Sequence, residues 1–376
     1  MEKKRVLFVV STELCMGGVP SVIMLLVRNL HQYYQFDAVT LSVKSGYFDA
    51  EFRSYGGTIY RVESFQYLDH KVLYPYSFVQ IQRAIRTILD NNTYDVIHCK
   101  SGWQDAPCLL EAERHGVPIR ISHSHGSFPS WSGHNKIMCA YTRIAKRILL
   151  KHATARVACS DIAGGTLFEG HSFQNILNCV DIEYYQSVKP QAHNGINLLQ
   201  IGYFCKLKNQ LFSIQLLHQM RRFHVDARLS FVGYPTDLTY LEEMKELIQQ
   251  YDLSNFVIFW EKDSDKHQIF ATSDYCLLPS ETEGLPLVAL ESQAAGVPCL
   301  MSDHICEDAN VGAGFFLPYN DVDAWYQAII EGLHPNHEEL SKNLQKVSNE
   351  VYLEKIRTLY TETAADTGIF DNRKKD

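Results

Sequence analysis

The chain has 376 residues, 46% of them apolar and 21% charged, with a formal net charge of −8. That length suits two domains better than one core, and the apolar runs all fall short of the ~20 residues that a membrane span needs. The negative charge argues against general nucleic-acid binding, and ten cysteines without a Cys-x-x-Cys pair read as reduced core residues, Cys99, Cys159, Cys276 and Cys299 lying in apolar runs.

From the N-terminus, Arg5 to Ser11 reads as a buried strand, and Gly17-Gly18-Val19-Pro20-Ser21 opens a helix with apolar residues at Val22, Leu25, Leu26 and Leu30. Glu13 and the glycine pair cut the first apolar run to a strand's length, which argues against a secretory signal and for a cytoplasmic chain. Strand, glycine turn, helix is a phosphate-binding geometry, but the pattern is neither Gly-x-Gly-x-x-Gly nor a P-loop. A tight βα turn explains it as well. Strands are expected near Phe36–Val43, Thr58–Val62, Val96–Lys100 and Pro118–Ser124, with helices near Ser77–Asn91 and Ala106–Arg114. Such alternation means a doubly wound parallel sheet, whose ligands gather at the carboxyl ends of its strands. Ser122-His123-Ser124-His125-Gly126 stands at one such end.

The chain's charge is uneven. Between Glu113 and Asp161 no acidic residue occurs, while Arg114, Arg120, Lys136, Arg143, Lys146, Arg147, Lys151 and Arg156 do. Ser127 to Gly133, with Phe128 and Trp131, reads as a flexible loop, and Lys136 to Lys151 as a basic amphipathic helix. That helix suits packing on the sheet and contact with anionic lipid equally well. Val157–Ser160 and Ile176–Asp181 close the first domain, and Ser187–Gly195 has a linker's composition. The domains are therefore read as 1–188 and 189–350, with 351–376 a last helix and a frayed tail.

A second sheet restarts at Ile196–Ile201, followed by Gly202-Tyr203-Phe204-Cys205-Lys206-Leu207-Lys208-Asn209. Tyr275-Cys276-Leu277-Leu278, the turn Pro279 to Pro286, a helix through Glu291 and the run Cys299-Leu300-Met301 form another strand, turn, helix, strand unit. Pro286 suits the helix's first turn and Gly296 its end. Glu283 then lies in the turn and Glu291 about a turn and a half into the helix. Free N–H groups of Gly284, Leu285 and Leu287, around Pro286 whose nitrogen carries none, make an anion site at the helix start. Carboxylates beside it suit neutral hydroxyls, because a carboxylate only accepts and repels a second anion.

Glu283-Gly-Leu-Pro-Leu-Val-Ala-Leu-Glu291, with Pro279-Ser280 before it and Ala295-Gly-Val-Pro298 after it, resembles the Glu-x7-Glu signature of retaining glycosyltransferases of the GT-B fold, of the family 4-like capsule and exopolysaccharide type. The resemblance covers nearly the whole chain. It implies an α/β fold of two Rossmann-like doubly wound domains facing a central cleft, the acceptor on the first and the nucleotide sugar on the second. By the same resemblance Glu283 contacts the donor sugar, Glu291 holds the ribose hydroxyls, and Lys208 neutralises the donor diphosphate. His125, with His123 as the fallback, meets sugar and acceptor; Gly17 and Gly18 approach the phosphate or the acceptor; Gly202, Gly233 and Glu261 line the donor site. The last helix crosses back to the first domain.

The chain departs from the family pattern at Tyr203, where an Arg is expected, at Tyr234 and at Glu261. Losing Arg removes a planar bidentate donor from the diphosphate site, and Lys206 is the candidate substitute. The expected activity is transfer of a sugar, favoured as a UDP-sugar, to a glycan or lipid-linked hydroxyl with retention. No metal ligand spacing occurs among the sixteen histidines, so neither metal nor other cofactor is expected. The setting is cytoplasmic, with peripheral contact at the membrane's inner face. Two alternatives stand beside it: a sugar-nucleotide epimerase on the same scaffold, and a non-catalytic homologue serving a polysaccharide-synthesis complex.

Overall fold

The computed structural model describes residues 3–63, 74–126, 136–261 and 264–361. The loop from Ser127 to Gly133 and the tail from Asp371 lie outside them. The chain divides into two compact units, one of Met1–Asn178 with Tyr352–Asp376, the other of Cys179–Val351.

In the first unit, Lys4–Val10 (β1), Tyr34–Thr40 (β2), Ile59–Arg61 (β3), Val96–Cys99 (β4), Ile119–Ser124 (β5), Ala155–Ala158 (β6) and Gln174–Asn175 (β7) form one sheet in the order β3-β2-β1-β4-β5-β6-β7. Every pairing is parallel. Helices cover a parallel sheet on both faces, so its central strands are apolar throughout; Val6 to Val10 are all 0–1% exposed. Residues of the C-terminal helix Asn349–Thr361 from Tyr352 onward belong to this unit. Ile356 and Tyr360 are fully buried there, with the Tyr360 ring edge-on to Tyr34 at 5.3 Å.

In the second unit, Ile196–Ile201 (β8), Ala227–Val232 (β9), Val257–Trp260 (β10), Tyr275–Leu278 (β11), Cys299–Ser302 (β12) and Gly314–Leu317 (β13) form a parallel sheet in the order β10-β9-β8-β11-β12-β13. Its core centres on Phe212 and Trp325, rings 4.9 Å apart, both essentially buried. The division between units precedes the linker-like stretch read from composition. Asp181 caps the short helix Ile182–Gln186 by accepting from the Tyr184 N–H. Tyr184 then packs on His267 and Tyr185 on Phe270, which ties this segment to the second unit. Apolar contacts, not the polarity of the following residues, set the boundary. In both sheets the strand order reverses at the centre, between β1 and β4 and between β8 and β11. Crevices at such points open at the carboxyl ends of the strands.

Candidate active site

The second unit brings two turns together at the carboxyl ends of β8 and β11. The Glu281 N–H donates to the Leu207 carbonyl at 2.9 Å, and the Asn209 side-chain amide to the Pro279 carbonyl at 3.2 Å. Gln200, buried in β8, supports the first turn by donating to the Lys208 carbonyl at 2.7 Å. Across these turns the Lys208 ammonium pairs with the Glu283 carboxylate, which also accepts from Ser280 Oγ at 2.9 Å. Ser280 is fully buried, so one face of Glu283 is fixed from below. Gly202 and Gly233 close the turn ends of β8 and β9. A Cβ on Gly233 would lie 2.0 Å from the Gly202 carbonyl oxygen, so only glycine fits that approach.

The helix after the second turn runs Leu287–Ala294, and Pro286 is its extended cap rather than its first-turn residue. No side chain caps it, which leaves first-turn N–H groups to an anionic ligand. Gly284 and Leu285 are buried in the preceding turn, the Gly284 carbonyl accepting from the Cys306 thiol at 3.1 Å. Glu291 is therefore little more than one turn inside the helix. Its two oxygens each accept from Lys266 Nζ at 2.7 Å, and Tyr185 hydrogen-bonds the same carboxylate. Burial first, then the charge of Glu291, pushes the Tyr185 phenol well up, so it stays a neutral donor.

Lys206 does not supply the missing charge beside Lys208. Its side chain is 71% exposed and its ammonium lies 3.8 Å from Glu243 on the helix Leu238–Gln250. Tyr203 instead stands edge-on to Tyr234, ring centroids 5.0 Å apart, and its carbonyl accepts from Gln210 at 2.8 Å. Glu261 is exposed just past β10. An aromatic pair occupies the positions where the resemblance led to an expected Arg and a small residue, so Lys208 alone of the predicted cations faces Glu283.

In the first unit, Gly17 is the extended cap of the helix Gly18–Leu30, separated from the end of β1 by the six residues 11–16 and without a side-chain cap. At the ends of β4 and β5 lies a cluster that sequence reading found only in part. Lys100 Nζ is 3.0 Å from His125 Nε2 and 3.1 Å from His123 Nδ1; His98 Nε2 is 3.1 Å from the same His123 Nδ1, and His98 Nδ1 is 2.8 Å from the Tyr360 hydroxyl. The His123 and His125 rings stack at 4.0 Å. His123 is fully buried, which removes it as a residue that meets an acceptor; it belongs to β5, an interior strand covered on both faces, whereas His125, one step past the strand, keeps an open edge. Burial, reinforced by Lys100, holds all three imidazoles well below the ordinary histidine range. Asp105, fully buried nearby, accepts from the Ser101 N–H at 2.8 Å and from Ser122 Oγ at 3.0 Å; its burial pushes it up to about 8.

The basic helix runs Lys136–His152. Lys136, Arg143, Arg147 and Lys151 lie on its exposed face with Ile144, which is 55% exposed. Lys146 is not among them: it turns inward to the Thr166 carbonyl at 2.8 Å and to Glu169 at 2.6 Å. Arg114 pairs with Glu111 and Arg120 with Glu113. Three of the eight cations of the acid-free block are thus paired inside the unit, since acids just outside the block in sequence fold back on it. Tyr141 packs edge-on to Trp103 at 5.5 Å, and Phe128 and Trp131 lie outside the described residues.

Sequence reading missed His98, Lys100, Asp105 and Tyr360 in the first unit and Tyr185 and Lys266 in the second. Only Lys100 carried a local signal, a lone cation after the buried run Val96–Cys99.

The chain matches the model of glycosyl transferases group 1 over residues 182–350 and that of glycosyltransferase family 4 over residues 16–184. It is 30% identical over 330 residues to the putative glycosyltransferase EpsF of Bacillus subtilis (strain 168), covering 83% of this chain and 82% of that one. It is 26% identical over 306 residues to the capsular polysaccharide biosynthesis glycosyltransferase CapH of Staphylococcus aureus, covering 80% and 81%. Among solved structures, Anabaena Alr3699/HepE in complex with UDP and glucose superposes with a TM-score of 0.74 at 16% identity, over 95% of this chain and 99% of that one; this likeness speaks to the fold.

Proposed function

This chain belongs to the group 1 family of glycosyltransferases, and on that premise we propose that it moves a sugar from a nucleotide diphosphate, favoured as UDP, to a hydroxyl acceptor with retention at the anomeric carbon. The pathway class is polysaccharide or glycolipid assembly, in keeping with the exopolysaccharide-type and capsular relatives. The observation that carries this reading is the meeting of Lys208, Glu283 and Ser280 at the reversal point of the second sheet, with Glu291 just beyond. An ammonium has three donors, so Lys208 can keep Glu283 and still reach a diphosphate. The uncapped helix start adds backbone N–H groups, and together these stabilise the leaving diphosphate without a metal. Glu283 accepts from hydroxyls of the transferred sugar and Glu291 from those of the ribose, while His125 contacts sugar and acceptor.

A panel of nucleotide sugars read by thermal shift tests the donor. A donor held at 100 times its Kd stabilises the native state by about 2.7 kcal/mol, so one member should raise the melting point by several degrees. The variants Glu291→Gln and Glu291→Ala should bind that member about ten- to a hundredfold more weakly, since charge-assisted bonds worth ~1.5–3 kcal/mol are lost. Gln keeps the shape beside Lys266, so an effect seen in Ala and absent in Gln would assign the residue to packing. No stabilisation by any nucleotide sugar would favour the non-catalytic alternative, which Tyr203 in place of Arg keeps in view.

The exposed face of the Lys136–His152 helix supports a peripheral place on the cytoplasmic leaflet, where lipid-linked acceptors are found. Four cations near an anionic surface contribute about 1 kcal/mol each, and the exposed Ile144 adds apolar contact. Cosedimentation with phosphatidylglycerol vesicles at low salt should bind the parent, and raised salt should release it. The variant with Lys136, Arg143, Arg147 and Lys151 all changed to Gln should stay in the supernatant, whereas Lys146→Gln should still pellet. A parent that ignores these vesicles would leave the face to a soluble anionic partner.

A further inference from the structure

We propose that Lys100 is a positioning residue: buried between His123 and His125, it fixes the tautomers of the imidazole cluster so that His125 is a neutral ring carrying its proton on Nδ1. The argument is one of donors and acceptors. An ammonium only donates. His125 Nε2 and His123 Nδ1, 3.0 and 3.1 Å from Lys100 Nζ, must therefore both be bare. His98 Nε2 faces that same bare His123 nitrogen at 3.1 Å, so it carries the His98 proton. His98 Nδ1 is then bare and accepts from the Tyr360 hydroxyl at 2.8 Å. One donor-only group thus settles three rings and a phenol on three separate elements. The alternative chain, with the His123 proton on Nδ1, would point two donors at each other across 3.1 Å.

Two further observations agree. His123 Nε2, which must carry the displaced proton, is a buried nitrogen without a hydrogen-bond partner among the described residues, a cost that only a stronger constraint on the other side of the ring explains. Lys100 itself is only 5% exposed, so its contacts with the two rings are made away from competing water. Neutral imidazole in water prefers its proton on Nε2, the opposite arrangement to that imposed on His125. The consequence rests on the transferase reading above: the His125 nitrogen covered by Lys100 is unavailable as a base, and the ring, which also hydrogen-bonds the Asn178 side chain, can meet a neutral hydroxyl only as an N–H donor.

The test needs no substrate, so its failure is distinct from a failure of the transferase assignment. The full chain is labelled with 15N-histidine, long-range 1H–15N spectra are recorded at neutral pH, and the His125 signals are assigned with His125→Gln. The parent should show a protonated Nδ1 and a bare Nε2 at His125. In Lys100→Met the proton should move to Nε2, and in Lys100→Arg, another donor-only cation, it should stay on Nδ1. A parent with the proton on Nε2 overturns the proposal, as does a Lys100→Met spectrum unchanged from the parent. Should Lys100→Met fail to fold, the parent spectrum alone still decides.

Discussion

Lys208→Met is expected to lower kcat by about two to three orders of magnitude, the loss found when one pre-organised donor to a developing negative charge is removed. Two effects arise together. On the proposed role the leaving diphosphate loses an ammonium, and Glu283, whose side chain is 13% exposed, loses its countercharge and keeps Ser280 as its hydrogen-bond donor among the described residues. Stripping one partner from a largely buried pair also destabilises, by ~3–5 kcal/mol when burial is complete, and less here because Lys208 retains 22% exposure. Steady-state kinetics and melting points of Lys208→Met, Glu283→Gln and the double variant separate the two. If the kcat loss is catalytic, the double variant recovers the melting point and remains slow. A Lys208→Met enzyme that turns over like the parent would sink the role. Lys208→Arg should retain more activity than Met, because the charge survives although its fork geometry differs.

The second large effect is a stability maximum near pH 6.5 in the first unit. His98 and His123 are fully buried, and burial first, then Lys100, holds them well below the ordinary histidine value. Between about pH 6.5 and their folded values the unfolded chain binds protons that the native chain refuses, so stability falls as pH falls, by about 1.4 kcal/mol per pH unit for each group. Asp105 acts with the opposite sign. Raised to about 8, it is protonated in the native state while its unfolded counterpart ionises near 4, so stability rises by one proton's worth as pH falls from 8 towards 4. From pH 8 to 6.5 the Asp105 contribution is joined by that of His115, whose hydrogen bond to the Glu111 carbonyl raises it above the ordinary histidine value, and stability increases as pH falls. Below 6.5 two histidines outweigh one aspartate, and the net loss is about 1.4 kcal/mol per unit, with the partly open His125 adding to it. Urea series at several pH values, followed by hydrogen exchange in β4 and β5, read this unit alone. In Asp105→Asn, which cannot titrate, the rise from pH 8 should shrink and the acid limb should steepen. A flat profile from pH 6.5 to 4.5 would contradict buried, neutral imidazoles.

What the sequence determined by itself is the part of the protein written in short-range pattern. Val6–Val10 and Tyr275–Leu278 are continuous apolar runs because strands covered on both faces need them, and strand-helix alternation then requires parallel sheets. The helix Ala106–Arg114 and the strand Ile196–Ile201 were legible to the residue, and the turn from Pro279 placed Glu283 at a strand end because proline, serine and glycine punctuate the chain locally. Tertiary structure decided which partner each of those groups would meet. Lys266 is 25 residues from the Glu291 that it clamps, and Tyr360 is 262 residues from the His98 that it hydrogen-bonds. Lys146 turned inward while Lys136, Arg143, Arg147 and Lys151 stayed in solvent, although all five lie in one basic helix. His123 went into the sheet while His125, two positions on, kept an open edge. Periodicity and turn chemistry act over a few residues, whereas a hydrogen bond or an ion pair depends on which strand ends are neighbours in the sheet. That adjacency is the product of the whole chain's packing, and no stretch of the sequence carries it alone.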